Sequence, residues 1–351
     1  MSLLWTLAIR GLTLLGVLVV VLVMLVVALG ATGFSDRVLS AIVGEDLRAL
    51  RTAHAQTIRD PDQLEATLKA RRVELEHFYG LDRPWYTRLP DMALRVVRLD
   101  LGEARNLRSF NGSAKVTDLV LERLPYTMLL ITTATVITSI LGLWIGVKLA
   151  TKAGSVADRL SSYLSAISYA VPAWWAGILL ILLLAFRLRL LPAEGLYSTP
   201  PPEGGLARLF DLLWHALLPI FTLVVVSLGA WVYTVRTMVL NTAQEFYVTV
   251  ARAKGLPEGR VMRRYILRVA APPIVTNLVL GLAGSLGGAI LTETVFKWPG
   301  MGRLFYESII SADENVVVAL TFMFTLLYVA ARFLLEVLYV ALDPRIRYGA
   351  S

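Results

Sequence analysis

The chain of 351 residues contains no cysteine, which excludes disulfides, thiolate metal sites and a cysteine nucleophile. Histidine is almost as scarce. His54, His77 and His215 lie far apart, none in a spacing such as His-Glu-x-x-His, so each reads as a packing or surface residue and no metal site is predicted. Charge is thin as well: 17% of residues are Asp, Glu, Lys or Arg, against about 25% in an ordinary soluble domain. There is no Gly-x-x-x-x-Gly-Lys-Ser/Thr string, so the chain cannot cradle nucleotide phosphates in the P-loop manner. No cluster of catalytic groups is visible, and no catalytic residue is predicted.

What is present is apolar sequence. Hydrophobic residues make up 56% of the chain, and the mean hydropathy is +0.65. A spanning helix needs about 20 mostly apolar residues, and six stretches qualify: Gly11 to Leu29, Tyr126 to Ala150, Leu164 to Phe186 with Pro172 inside, Leu217 to Val239, Pro273 to Phe296, and Val316 to Leu342. The first follows Arg10 like a signal peptide, but its apolar run is long for a signal core, so it reads as an anchor. The expected fold class is therefore all-α and integral to the membrane.

The net charge of +8 has two readings, a nucleic-acid face or cytoplasmic loops. Counting decides between them. With the N-terminus inside, the inner segments hold 13 Lys/Arg against 4 Asp/Glu, whereas the short outer segments hold 5 against 7. That bias places both termini in the cytoplasm of a cell-membrane protein, in contact with lipid and not with nucleic acid. Residues 30–124 are nearly balanced, with 15 basic and 14 acidic side chains, and are too long for a simple loop. They read as a small extracytoplasmic module. Within it, Asp60-Pro61-Asp62-Gln63 predicts a helix start. Leu64, Leu68, Leu75, Phe78 and Tyr79 share one face of that helix, and Gly80 ends it. Pro200-Pro201-Pro202 marks a stiff connector.

The most informative segment lies between the fourth and fifth runs. Glu245 opens a short helix that carries Ala251, Arg252, Ala253 and Lys254. Gly255-Leu256-Pro257 makes a turn, and a second basic helix runs through Arg260, Arg263, Arg264 and Arg268 to Pro272-Pro273. The small residues Ala251, Ala253 and Gly255 would let a soluble partner approach the backbone closely. On charge alone, an ordinary basic loop against anionic lipid is the alternative.

The run Ala251 to Pro257, with Ile266 and Pro272-Pro273 beyond it, resembles the EAA loop of ABC importer permeases, and more narrowly the first permease subunit of the oligopeptide, dipeptide and nickel importers. Four other stretches agree in order: Tyr79 to Trp85, Arg123 to Thr127, Glu293-Thr294-Val295-Phe296 followed by Trp298-Pro299-Gly300-Met301-Gly302, and Asp343-Pro344-Arg345. The resemblance spans residues 79–347. There are two departures. Phe246 stands where the family places an acidic residue, with Glu245 one step earlier, and a Pro-Gly-Asp-Pro segment after the first helix is missing.

The resemblance implies a type I ABC importer permease fold of six transmembrane helices. An anchor (1–30) would be followed by an extracytoplasmic module (31–125), a five-helix core (126–345) with a coupling loop at 240–272, and a tail (346–351). It implies a second homologous permease, two ATPase subunits that bind ATP and Mg, and an extracytoplasmic solute-binding protein. This chain itself would need no cofactor and would be no enzyme. Peptides, oligosaccharides and nickel chelates are the cargo classes implied. Glu245 and Ala251 to Pro257 would couple to the ATPase, and Glu293, Trp298, Pro299 and Gly300 would form an outer turn. Thr135, Ser139, Asn277, Ser285 and Thr292 are polar positions within the runs and candidates for the pathway. Gly281, Gly284, Gly287 and Gly288 suit close helix packing, within the chain or against the sister permease. Two other classes stay open at this point. A secondary transporter would show repeated halves and intramembrane charges, of which only Arg332 and Glu336 are seen. The other is a membrane-anchored sensor or scaffold.

Overall fold

The computed structural model describes residues 3–31, 33–54, 60–87, 100–285, 290–311 and 313–342. Asp343-Pro344-Arg345, Gly287 and Gly288 lie outside them. Among the described residues the chain is helical, with one isolated β-bridge between Glu103 and Lys115. The helices are α1 (Leu3–Ala31), α2 (Phe34–His54), α3 (Pro61–Phe78), α4 (Val116–Thr151), α5 (Val156–Ala170), α6 (Ala173–Leu180), α7 (Gly205–Ala243), α8 (Phe246–Ala253), α9 (Glu258–Val261), α10 (Leu267–Ser285), α11 (Ile290–Val295), α12 (Met301–Ile310) and α13 (Glu314–Leu342). π-Helical turns extend α6 through Ile181–Arg187 and join α9 to α10 through Met262–Ile266.

Two compact units emerge. The first comprises Met1–Leu14, Val120–Glu307 and Leu326–Ser351; the second comprises Leu15–Leu119 and Ser308–Thr325. Among the described residues, three helices are long and apolar enough to cross a membrane, or four if α5 and the helix Ala173–Arg187 count as one bent span. The third apolar run reads in the sequence as one span with Pro172 inside. Instead the chain turns by 98° at Val171–Pro172. Proline cannot donate the bond that would continue the helix, and Val171 is extended (φ −91°, ψ 118°), as the residue before a proline prefers. Within the fifth run the described helices are α10, to Ser285, and α11, from Ile290. The fourth helix starts twelve residues before its apolar run, at Gly205, directly after the proline-rich connector.

In the first unit, one core joins α4, α7 and the turn after α11 through Leu130, Ile131, Leu218, Val224, Phe296 and Trp298. α5 runs along α7 at very close range. A side chain at Gly229 would bring its Cβ within 2.6 Å of Ser168 Cβ, so that position takes only glycine. The Ser168 hydroxyl donates to the Val226 carbonyl across the same contact.

In the second unit, α2 and α3 pack as a hairpin. α3 begins as expected. Asp60 is the cap, its carboxylate accepting the Asp62 N–H at 3.1 Å, and Pro61 is the first helical residue. At its other end, the Gly80 N–H donates to His77 O (3.1 Å) and the Leu81 N–H to Glu76 O (2.8 Å), with Gly80 at φ +67°. This is a Schellman motif, which needs the left-handed residue that glycine supplies. Of the expected apolar face, Leu75 is buried, whereas Phe78 is 78% exposed. Replacing Asp60 by alanine should cost about 1 kcal/mol of local helix stability, read as faster amide exchange over the first turn of α3 with the rest of the chain unchanged.

Candidate functional site

The segment 245–266 forms a two-helix hairpin. Glu245 holds the cap position of α8 in extended conformation, and its side chain makes no capping bond. The helix ends in a second Schellman motif: the Gly255 N–H donates to Arg252 O at 2.9 Å, the Leu256 N–H to Ala251 O at 3.4 Å, and Gly255 sits at φ +72°. Pro257 is the cap residue of α9, one step before the first-position role its sequence suggests. Across the turn, Arg252 grips Glu258 with both arms, Nη2 to Oε1 at 2.7 Å and Nε to Oε2 at 3.2 Å. The guanidinium hydrogen bond holds the Glu258 carboxyl below the usual carboxylate range. A depressed carboxylate of this kind stabilises the turn at neutral pH, and that contribution fades as pH falls through its lowered pKa. Both groups are exposed, so the pair is worth at most about 1 kcal/mol.

The hairpin has two faces. Val248 and Ala251 of α8, Val261 of α9 and Ile266 are buried in one cluster with Val235 and Val239 of α7 and Ala270 and Ile274 of α10. Ala251 is 3% exposed, so it packs inward and does not present a bare backbone to a partner. The outward face carries Phe246, 80% exposed, with Tyr247, Arg252, Ala253, Lys254 and Gly255. Phe246, the departure from the family pattern, is thus the most prominent apolar group on that face. Burying several aliphatic side chains, each worth about 1.5–3 kcal/mol, joins the hairpin to the end of α7 and the start of α10, so a push on the hairpin reaches both helices.

A cavity of about 610 Å³ lies between α4, α5, α7 and α10. Thr135, Ser139 and Asn277 line it, together with Thr138, Ser168 and Tyr169. Among the described residues its lining contains no charged side chain. The Asn277 amide donates to Pro273 O at 2.9 Å, and the buried Thr138 hydroxyl has no hydrogen-bond partner. Gly281 also borders the cavity, and among the described residues a Cβ there would meet nothing within 4 Å. Thr292 is buried elsewhere and does not line the cavity. The side chains of Ser285, Gly284 and Glu336 lie outside the described residues. A second cavity of about 590 Å³ is bordered by Ser162, Ser165 and Tyr233, and it shares Tyr169, Ala230 and Thr234 with the first. The contribution of α5 is not evident from the apolar runs. Its signal is the serine spacing 161, 162, 165 and 168, one helical face that begins ahead of the third apolar run and continues into it.

The turn after α11 is held by Glu293. Its buried carboxylate accepts the Thr127 hydroxyl at 2.8 Å and the Arg303 N–H at 2.9 Å, while Thr127 Oγ1 accepts the Met301 N–H at 2.7 Å. The Trp298 indole N–H donates to Tyr126 O at 3.0 Å, and its ring meets Tyr126 edge-on.

Long apolar helices, a hydroxyl-lined cavity between them and a basic helical hairpin packed on the ends of α7 and α10 define a multi-pass membrane subunit built for passage rather than chemistry. Residues 120–348 match the family of binding-protein-dependent transport system inner membrane components. Over 292 residues the chain is 31% identical to the oligopeptide transport system permease protein AppB of Bacillus subtilis (strain 168), covering 82% of this chain and 90% of that one. It is 31% identical over 307 residues to the di/tripeptide transport system permease protein DppB of Pseudomonas aeruginosa (strain UCBPP-PA14), with the same coverage. It is 29% identical over 279 residues to the peptidoglycan transport system permease protein YejB of Agrobacterium fabrum, covering 78% and 75%. The chain belongs to the binding-protein-dependent inner membrane permease family, as the resemblance of its motifs implied.

Proposed function

We propose that this chain forms half of the translocation pathway of an importer for short peptides or peptide-bearing solutes, and that the hairpin 245–266 is where separate ATPase subunits drive it. In this reading α1 is an anchor, residues 31–125 are an extracytoplasmic module, and six spans leave both termini in the cytoplasm, as the basic excess of the short inner loops favours. A second permease would face the 610 Å³ cavity and the open side of Gly281. An outer binding protein would deliver the solute. ATP and Mg would sit in the partner ATPases. The names of the relatives favour peptides; oligosaccharides and nickel chelates, implied by the motif resemblance, are the further cargo classes. An uncharged lining suits this role, since a pathway that passes varied solutes should hold none of them tightly.

The observation that carries the proposal is the division of the hairpin into a buried face and an outward face with Phe246, Arg252, Lys254 and Gly255. Aromatic and arginine side chains are the usual anchors of an interface. ATP-driven closure of the ATPases would then pull on α7 and α10 through the shared core as a rigid-body movement.

Gly255 supplies the test. Any side chain there bears the same left-handed strain, about 1 kcal/mol, yet a Cβ meets nothing within 4 Å. Gly255→Ala and Gly255→Trp therefore differ mainly in what they present to a partner. In the reconstituted importer, Gly255→Ala should keep most uptake. Gly255→Trp should lose at least roughly tenfold, an interface loss of about 1.4 kcal/mol or more, with normal membrane insertion. Equal uptake by the two variants would remove the hairpin from the mechanism.

A further inference from the structure

The second unit contains a cavity of about 800 Å³ that the transport reading leaves unused. Its volume is within the range of small-ligand sites, roughly 300–1,000 Å³. The walls come from α2, the end of α3, the segment Asp100–Arg108 and the start of α13. Ile42, Leu101 and Val318 supply an apolar floor, and Phe78 and Tyr79 supply an aromatic side.

The charged groups around it are of two kinds. Glu45 and Asp46 stand in succession on α2, and Glu103 faces the same space from the loop; a fourth carboxylate, Asp100, is occupied in accepting the Gly102 N–H at 3.2 Å. Among the described residues, none of these three carboxylates has an ion pair or side-chain hydrogen bond. The two arginines differ in their freedom. Arg108 Nη1 is turned back on the carbonyls of Ala104, Arg105 and Leu107, at 3.1, 3.0 and 2.7 Å. The Arg105 guanidinium lies over the Tyr79 ring, 5.9 Å from its centroid, and its Nη1 is buried with no hydrogen-bond partner. A buried orphan donor is costly, and an acceptor brought by a ligand would remove the cost.

The wall that carries Glu103 and Arg105 is fixed in advance. Asp313, fully buried, accepts three successive backbone N–H groups on one oxygen: Arg105 at 2.7 Å, Asn106 at 2.8 Å and Leu107 at 3.3 Å. The Asn106 side chain donates to Ser311 O at 2.7 Å, and the Asn315 side chain to Glu103 O at 2.9 Å. Across the loop, Ala104 N–H donates to Ala114 O (2.6 Å) and Val116 N–H to Gly102 O (3.0 Å). A site ordered before its ligand arrives loses less entropy on binding.

Free carboxylates, an unsatisfied guanidinium and an aromatic wall around one cavity suit a small zwitterion. We propose that this cavity binds a short peptide with free termini, its ammonium group received by Glu45, Asp46 and Glu103 and its carboxylate by Arg105. The identity of the occupant rests on the peptide reading given above. The chemistry of the site does not.

The experiment uses the complete importer in nanodiscs, without binding protein or nucleotide, and measures binding of labelled Ala-Ala-Ala by equilibrium dialysis. Saturable binding is expected. N-acetylation of the peptide, or the triple change Glu45→Gln, Asp46→Asn and Glu103→Gln, should each weaken it at least roughly tenfold, the loss expected on removing a charge-assisted contact. Arg105→Gln should abolish the preference for a free carboxylate over a C-terminal amide. Asn277→Leu, in the other unit, should leave binding unchanged. Equal binding of the free and acetylated peptides would overturn the proposal. So would binding of the free peptide that the triple carboxylate change leaves unaltered. Because no ATP is present, this result is independent of the Gly255 pair, which tests the coupling reading alone.

Discussion

Asp158→Ala should destabilise the protein by about 3–5 kcal/mol, the range for removing one partner of a buried charge pair. Asp158 is 3% exposed at the start of α5. Its carboxylate accepts Arg236 Nη2 of α7 at 2.7 Å, a shorter contact from Arg236 Nε, and the Gly154 N–H at 2.9 Å. Ser155 caps the same helix by accepting the Asp158 N–H at 3.2 Å. Alanine would leave a partly buried guanidinium without its counter-charge and the Gly154 N–H without its acceptor. The paired change Asp158→Leu with Arg236→Met should restore most of the loss, since an apolar pair of similar volume carries no desolvation penalty. Unfolding midpoints followed by tryptophan fluorescence in nanodiscs check both expectations. A single-variant loss below about 1 kcal/mol would place the pair among solvated surface bridges. The position of the pair also gives it a functional reading. Arg236 is the residue after Val235, which is buried in the hairpin core. α5, with its serine face towards the cavities, is thereby bolted to the helix that the hairpin grips.

The features that were legible in the sequence are those with local causes. The start of α3 is written in Asp60 and Pro61, and the ends of α3 and α8 in Gly80 and Gly255, because a cap or a left-handed turn is chosen by one or two residues. The hairpin and its basic outer face follow from the same kind of signal. Of the 98° turn at Pro172, the sequence shows only a proline inside an apolar run. Proline breaks the bond ladder, but the angle depends on where α5 can approach α7, which Gly229 and Ser168 decide from 61 positions apart. Thr135, Ser139 and Asn277 meet at one cavity while Thr292 does not, and the apolar runs that contain them give no such distinction. Asp158 with Arg236, Thr127 with Glu293, and Asp313 with Arg105 are separated by 78, 166 and 208 residues. Pairings at such range are invisible to periodicity in a single sequence. Phe246 shows the opposite case: as a departure from a motif it looked like a loss, and in the fold it is the apolar tip of the outward face.

Glu293 and Gly300 together carry the other large effect. Glu293 is fully buried, and its two oxygens face different partners: Oε1 accepts from the Thr127 hydroxyl, and Oε2 accepts from the Arg303 N–H. Glu293→Ala strands both donors and opens a cavity, so a loss of about 3 kcal/mol or more is expected from unsatisfied polar groups and lost packing together. Glu293→Gln should cost far less, about 1 kcal/mol. Its carbonyl can keep the Arg303 bond, and its amide can donate to Thr127 Oγ1, which has a second lone pair beside the one that takes the Met301 N–H. The orientation is forced, because the reverse would set an amide N–H against the Arg303 N–H. Gly300 makes the same point through space. A Cβ at that position would overlap both the Glu293 carboxyl and Thr127 Oγ1, so Gly300→Ala should break the bond between them. The cost is expected to be about 1–3 kcal/mol from overpacking, with the hydrogen bond lost in addition. Thr127→Val tests whether the two effects share one cause. With the hydroxyl already gone, Gly300→Ala should cost less in that background than in the wild-type chain, and full additivity would mean that the turn tolerates each contact separately. Since the turn seats Trp298 against Tyr126 and Phe296 in the core of α4 and α7, its loosening should also be visible as faster exchange of the Trp298 indole N–H.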